Sequence, residues 1–427
     1  MTRTAYTAQR VFLDGEFHTG AFIEVERGEI QATGDQPSQG AEIVDFGEAA
    51  IFPGAVNTHT HSHLSLLRGR YDGMEINAWL KAIYAAVAEF GTEESYLAGA
   101  LAFGEALLSG TTTVTDFFYL NGRGNDNARA VIQAAQDLGI RLVMGRTFLD
   151  AEWGGEATRE TVEVAVGRFR ELRQDHAGSR IVQVVPAPHS VVGASRPMIE
   201  AAYSLAEEFD SRWYIHIAYD RLSAVLDGEP SLLALDRWGV LDQRIVSVHD
   251  VRLEEAELDL LGERGGRASY CPASEMMFGE PVLDLPGLYR RGIQVGLGTD
   301  GAASNNTQDM FAEMRSASLC QRLAAQRADV VSIDQMLDLG TASGGVVIGH
   351  PVGRLSAGYR ADFIVLDTSD VVLQPLSALK SHMVHSMTPR AIRHVYVDGE
   401  PAVRDRQLVN LDFAEIRARI HQLAVLS

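Results

Sequence analysis

The sequence predicts an α/β fold: a parallel (β/α)8 barrel, TIM-like in plan, with a small β-sandwich domain built from both chain ends. Three observations predict it. Between about residue 50 and residue 300, strand-like apolar runs alternate with helical patterns, and eight strands can be placed, ending near His61, Phe117, Phe148, Pro188, His216, His249, Pro272 and Asp300. Several of those strand ends carry a histidine or a carboxylate, and strand ends are where a parallel barrel keeps its chemistry. Hairpin patterns occur at both ends of the chain.

The N-terminal segment opens with alternating runs, Arg10-Val11-Phe12-Leu13, Ala21-Phe22-Ile23-Glu24-Val25 and Glu42-Ile43-Val44-Asp45-Phe46, separated by Asp14-Gly15, Arg27-Gly28 and Gly34-Asp35. The same pattern returns in Ala361-Asp362-Phe363-Ile364-Val365-Leu366-Asp367 and in His394-Val395-Tyr396-Val397-Asp398-Gly399-Glu400. The expected division is 1–52 with 353–427 as the composite β-sandwich and 53–352 as the barrel. The apolar run 50–58 reads as one buried strand, delivering His59-Thr60-His61 at its end. The interval from His216 to His249, about 33 residues, is one βα unit, and the interval from His249 to Asp300, about 51 residues, is two. Helical patterns over 93–108 and 310–326 supply the outer ring. An open doubly wound sheet is disfavoured, because no glycine-rich phosphate loop follows an early strand.

The chain has 427 residues, 46% of them hydrophobic, enough for one large domain and a smaller one. A formal net charge of −20 repels nucleic acid and anionic membranes, so the expected partner is a small molecule. Cys271 and Cys320 are the only cysteines and cannot make a disulfide framework; Cys271 falls inside an apparent strand, so both read as reduced, buried thiols of a cytoplasmic protein. The N-terminus shows no apolar targeting core, and no segment offers about eighteen uninterrupted apolar residues for a membrane span.

Two imidazoles at i and i+2 of a strand project from one face, so His59 and His61 can share a metal ion. With His216 and Asp300 at the ends of strands 5 and 8, they make a first shell of three imidazoles and one carboxylate with a position left for water. Zn2+ suits that set, one per subunit, with Fe2+ as the other candidate. Asp300, near ion and water, is suited to take up a proton. Lys81 and Lys380 are the only lysines, and neither ends a barrel strand, so a carbamylated-lysine bridge between two metals is excluded and the site is expected to be mononuclear.

Taken together, Pro53 to His61 with Leu66-Leu67-Arg68-Gly69, Ala187-Pro188-His189-Ser190, His216, His249 and Leu297-Gly298-Thr299-Asp300-Gly301-Ala302-Ala303-Ser304-Asn305-Asn306 resemble the amidohydrolase superfamily. The likeness is to its deaminase and chlorohydrolase branch, which includes S-adenosylhomocysteine deaminases and triazine hydrolases, and it extends over nearly the whole chain. The resemblance implies His59, His61, His216 and Asp300 as metal ligands, His249 as the group that polarises substrate or orients water, and His189 and Arg146 as pocket residues. It also implies a homo-oligomer. Three positions depart from the pattern. Family deaminases carry a proton-shuttling Glu three residues after the strand-5 histidine, where this chain has Tyr219, a poor proton relay near neutral pH. After strand 7 the chain reads Pro272-Ala273-Ser274-Glu275 in place of Pro-x-Ser-Asn. His63 stands where relatives carry Pro or an apolar residue; it and Trp79 are further candidates for substrate contact.

The expected activity is that of a mononuclear hydrolase attacking an sp2 ring carbon of a small nitrogen heterocycle and releasing ammonia or an amine, with Asp300, His249 and Tyr219 as the groups acting on the reaction. One alternative keeps the metal and expels halide or sulfide, or opens a cyclic amide, because Tyr219 replaces the usual Glu. The other is a non-catalytic relative that binds a heterocycle.

Overall fold

In the computed structural model, residues 3–217 and 228–423 are described. Eight parallel strands form the barrel: β8 (Ala55–Thr60), β9 (Thr111–Phe118), β10 (Arg141–Phe148), β11 (Val182–Pro188), β12 (Trp213–His216), β13 (Ile245–Val248), β14 (Arg267–Tyr270) and β15 (Gln294–Leu297). They pair as two four-stranded runs, β8 to β11 and β12 to β15. The runs meet at two seams. At one, His216 N donates to His189 O at 3.1 Å; at the other, Asp300 N donates to His59 O at 3.0 Å. Every residue of β9 and β10 is buried, as expected where helices cover the outer face of a parallel sheet. The helix Asp126–Leu138 shows the match from the other side. It buries Val131, Ile132, Ala135 and Leu138, and its chain reverses at Gly139 in the left-handed conformation, φ 76°.

The run 50–58 is not one strand. It breaks at Gly54 into β7 (Ala49–Pro53) and β8. β7 pairs antiparallel with β16 (Phe363–Asp367), Ile51 opposite Val365, whereas β8 pairs parallel with β9. Only a residue without a side chain fits at the switch, because a Cβ on Gly54 would fall 2.2 Å from Thr112 Oγ1. Cys271 likewise lies just past β14 rather than within a strand, at the start of the helix Pro272–Phe278, where it is buried and unpaired, as is Cys320.

β7 and β16 are central to a seven-stranded sheet that interleaves the two chain ends: β19 (Gln407–Leu408), β18 (Glu400–Arg404), β17 (Ile392–Val397), β16, β7, β2 (Arg10–Leu13) and β3 (Glu16–His18). Beside it lies a four-stranded sheet ordered β5 (Glu29–Gly34), β4 (Phe22–Glu26), β1 (Thr4–Thr7) and β6 (Glu42–Asp45). A separate apolar cluster joins the two sheets, and within it Tyr6 packs on Phe363 (ring centroids 5.0 Å apart) and Phe363 stacks on Tyr396 (4.6 Å). Arg141, at the start of β10, ties the barrel to this layer by donating to Asp362 at 2.9 and 3.0 Å and to Asp398 at 2.5 Å. No helix among the described residues is long and apolar enough to cross a membrane.

Candidate metal centre and active-site cavity

The carboxyl ends of the strands converge on a cluster of imidazoles. His59 is the penultimate residue of β8, His61 follows the strand, and His216 closes β12; the ring centroids of His59 lie 4.7 Å from His61 and 5.0 Å from His216. Two of the three rings are oriented by backbone. His61 Nδ1 donates to Phe117 O at 2.6 Å and His216 Nδ1 donates to His189 O at 2.7 Å, which leaves both Nε2 atoms as lone-pair donors. Burial lowers the pKa of His59, brings His61 down to about 3 and holds His216 well below the ordinary value, so the lone pairs are unprotonated.

Asp300 faces them. Its Oδ1 lies 3.4 Å from His59 Nε2 and 3.3 Å from His61 Nε2, while Oδ2 accepts from Ser274 Oγ at 2.6 Å and Ser304 Oγ at 2.8 Å. Burial would raise this carboxyl, but its contacts with His59, His61 and His249 outweigh that and keep it well below the carboxylate range. Candidate ligand atoms of His59, His61 and His216 lie within 4.8 Å of one another, as do those of His59, His249 and Asp300. His59 is fully buried, yet neither ring nitrogen has a hydrogen-bond partner in the protein. An orphaned buried imidazole among neutral histidines and an ionised carboxylate fits a borderline divalent cation such as zinc.

The backbone here is held under strain. His249, immediately after β13, and Asp300 adopt left-handed φ values of 79° and 57°, as does Asp250 at 58°, each costing about 1–3 kcal/mol for a residue other than glycine. Asn57 helps hold the strained turn: its Oδ1 accepts from His59 N at 3.1 Å and Thr299 N at 3.2 Å. Gly298 is required by close approach, since a Cβ there would sit 2.8 Å from His59 Cβ.

His61, His216, His249 and Asp300 form the floor of a cavity of about 890 Å3 with walls that include Trp79, Tyr84, Tyr119, Trp153, His189 and Phe278. Trp79 lines it, anchored by Nε1 donating to Ala303 O at 3.1 Å. His189 also lines it, with burial lowering its pKa to about 4. Two expected pocket residues lie elsewhere. Arg146 is buried, donating to Glu160 at 2.9 Å twice and to Asn125 at 3.0 Å, because its position in β10 points it at these acceptors rather than into the cavity. His63 is buried behind Tyr119, ring centroids 4.2 Å apart, and does not line the cavity. Tyr219 lies outside the described residues.

The structure adds one buried acid to the cluster. Glu275 Oε1 approaches His249 Nδ1 to 3.6 Å and accepts from Cys271 N at 3.3 Å. Burial pushes its carboxyl up to about 7. For His249, burial would lower the pKa, but the adjoining Glu275 and Asp300 raise it. The sequence signal for Glu275 was its departure from Pro-x-Ser-Asn; Tyr84, Tyr119 and Trp153 carried none, since an aromatic residue in a wall and one in a core look alike in sequence.

The chain's residues 50–402 match the model of the amidohydrolase family. The chain belongs to the amidohydrolase family. It is 31% identical over 408 residues to a 5-methylthioadenosine/S-adenosylhomocysteine deaminase of Haloarcula marismortui, covering 94% of this chain and 92% of that protein. A zinc-bound adenosine deaminase from Xanthomonas campestris superposes with a TM-score of 0.88 at 26% identity, covering 99% of this chain and 97% of that one. The zinc complex of atrazine chlorohydrolase from Arthrobacter aurescens shares the fold, with a TM-score of 0.91 at 23% identity over 99% of this chain and 100% of that one. This amidohydrolase is thus an enzyme of the hydrolase class with a (β/α)8 barrel and a candidate metal site at the strand ends.

Proposed function

We propose that this amidohydrolase is a mononuclear, zinc-dependent aminohydrolase that exchanges an amino group on an sp2 ring carbon of a nucleoside-like nitrogen heterocycle for oxygen, releasing ammonia or an amine. The observation that carries this reading is the convergence of three unprotonated imidazoles, His59, His61 and His216, with the ionised Asp300 at the base of an aromatic cavity that all but His59 line. His59, His61, His216 and Asp300 would hold the ion, with Fe2+ as the second candidate. Bound there, a divalent cation supplies Lewis acidity that lowers the pKa of water toward neutrality.

The chain's own groups do the rest. Ser274 and Ser304 hold the Asp300 carboxylate through Oδ2, and that carboxylate takes up the proton of the attacking water. His249 polarises the ring as it is attacked. Trp79 and His189 pack against its faces and edges, and an apolar wall excludes competing water. Lys81 is the only lysine or arginine among the described lining residues, which supports a neutral ring system over an acidic substrate. The names of the relatives put adenosine-type nucleosides first among substrates to test.

The test is to incubate zinc-loaded protein with amino-, chloro-, thio- and oxo-substituted purine nucleosides, pyrimidines, triazines and hydantoins and to read product masses. Exchange of amino for oxygen, lost together with bound zinc in Asp300→Ala, is the expected result. Full activity in Asp300→Ala would refute it. Tyr219, standing in place of the family's Glu, favours a second reading in which the leaving group is one that departs without a proton, such as halide; a Tyr219→Glu variant that gains deamination while losing the native reaction would support it.

A further inference from the structure

Resting on the aminohydrolase reading, we infer that Trp153 is a specificity-determining residue: with Tyr84 and one stripe of the helix Ile76–Val87 it forms an outer subsite that takes a flat apolar substituent of the heterocycle, an aryl group in its simplest form. That helix carries two apolar stripes at i, i+4 spacing. Ile83 and Val87 continue one stripe into the main core. Ile76, Leu80 and Tyr84 make the other, and all three line the cavity. Ile76 and Leu80 are half-buried, so they keep apolar surface that an occupant of the cavity would cover.

From the floor outward the rings form a continuous wall. Tyr119 meets His61 with ring centroids 5.3 Å apart, Tyr84 stacks on Tyr119 at 5.2 Å, and Trp153 meets Tyr84 at right angles at 5.0 Å. Trp153 ends that series and is 46% exposed, which puts it at the mouth. Its place is fixed. Nε1 donates to Val192 O at 3.3 Å, the ring lies 5.2 Å from His189, and the adjoining Gly154 is packed so closely that a Cβ would fall 2.5 Å from Leu149 Cδ2. A heterocycle attacked at the floor therefore reaches Trp153 through its substituent rather than through the reacting ring.

The size of the cavity points the same way. Its volume of about 890 Å3 lies toward the upper end of the range of about 300–1,000 Å3 for sites that enclose a drug-sized ligand, so a bare ring leaves much of it to water. Asn77, Lys81 and Glu156 also line it, but each is exposed, so its polar end stays hydrated. Against Ile76, Leu80 and Trp153 an apolar group gains by leaving water, whereas a hydroxylated one gives up its hydrogen bonds to water. Contact with the indole adds selectivity for a flat group.

The experiment measures binding by calorimetry to zinc-loaded wild type, Trp153→Phe and Trp153→Ala, with 9-benzylhypoxanthine and 9-methylhypoxanthine as ligands. Both are oxo products of the proposed reaction, and they differ only in the phenyl group. The expected result is that the wild type binds the benzyl compound about 30-fold more tightly than the methyl compound. Trp153→Ala should lose about 10-fold of that preference and Trp153→Phe should keep most of it. Binding of the methyl compound should change by less than about 3-fold in both variants, because it does not reach residue 153. A wild type without the preference, or a preference that survives undiminished in Trp153→Ala, overturns the inference. Turnover of 9-benzyladenine and 9-methyladenine tests the reaction separately. The preference without release of ammonia from either adenine would sink the aminohydrolase reading and leave the outer subsite standing. Release of ammonia without the preference would keep that reading and overturn the subsite.

Discussion

Replacing Arg146 with alanine tests whether that residue serves the substrate or the fold. The family likeness puts it in the pocket; the structure puts it in the wall of the barrel. Its side chain and that of Glu160 are both 0% exposed, joined by two hydrogen bonds of 2.9 Å, with a third at 3.0 Å to Asn125. Truncation leaves a buried carboxylate without its bidentate partner, a loss of about 3–5 kcal/mol. Arg168, 2.8 Å from Glu160 with its side chain 30% exposed, remains as a counterion and places the cost at the low end, about 3 kcal/mol. At about 2 °C per kcal/mol for a long chain, the melting temperature should fall by about 6 °C. The assay is calorimetry beside steady-state kinetics measured well below the transition, where KM should stay within about 2-fold of wild type. An unchanged melting temperature with KM raised about 10-fold would refute the structural assignment and return Arg146 to the substrate.

Three further expectations follow from the same geometry. In Gly298→Ala the new methyl group would meet His59 Cβ at 2.8 Å and displace the ring, so zinc affinity, measured by competition with a chelating dye, should weaken by about 10-fold or more. Glu313 is fully buried and its carboxyl is pushed up to about 8 by burial, so its stabilising contribution is present below about pH 4.5 and is lost as pH rises through 8; in Glu313→Gln the melting temperature relative to wild type should therefore climb across that window, and parallel curves would count against it. Burial lowers His61 to about 3 and His189 to about 4, so the metal-free protein should lose stability as pH falls from about 6.5, the ordinary value for histidine, toward 4. A melting temperature flat over that range would show that these rings are not held neutral.

The metal-ligand candidates were legible because strand periodicity and spacing are local properties. His59 and His61 share a face by the two-residue repeat of a strand, and the chain sets out the βα units so that His216, His249 and Asp300 arrive at strand ends. The alternating runs at both chain ends announced the composite sheets in the same way. What sequence could not settle were side chains whose role depends on direction in three dimensions. Arg146 and His189 both lie at the ends of barrel strands, yet one turns into the wall and the other into the cavity. Glu275 is close to His249 only because β13 and β14 pair side by side, which brings residues 26 positions apart within 3.6 Å. The run 50–58 looks continuous because apolarity does not record which sheet a residue joins; the contact of Gly54 with Thr112 decides that. Sequence by itself determined the architecture and the residue types at the strand ends, because these follow from local periodicity. Tertiary structure decided which of those side chains converge, which are locked away by buried partners, and which carboxylate stands behind His249, because each depends on contacts between segments far apart in the chain.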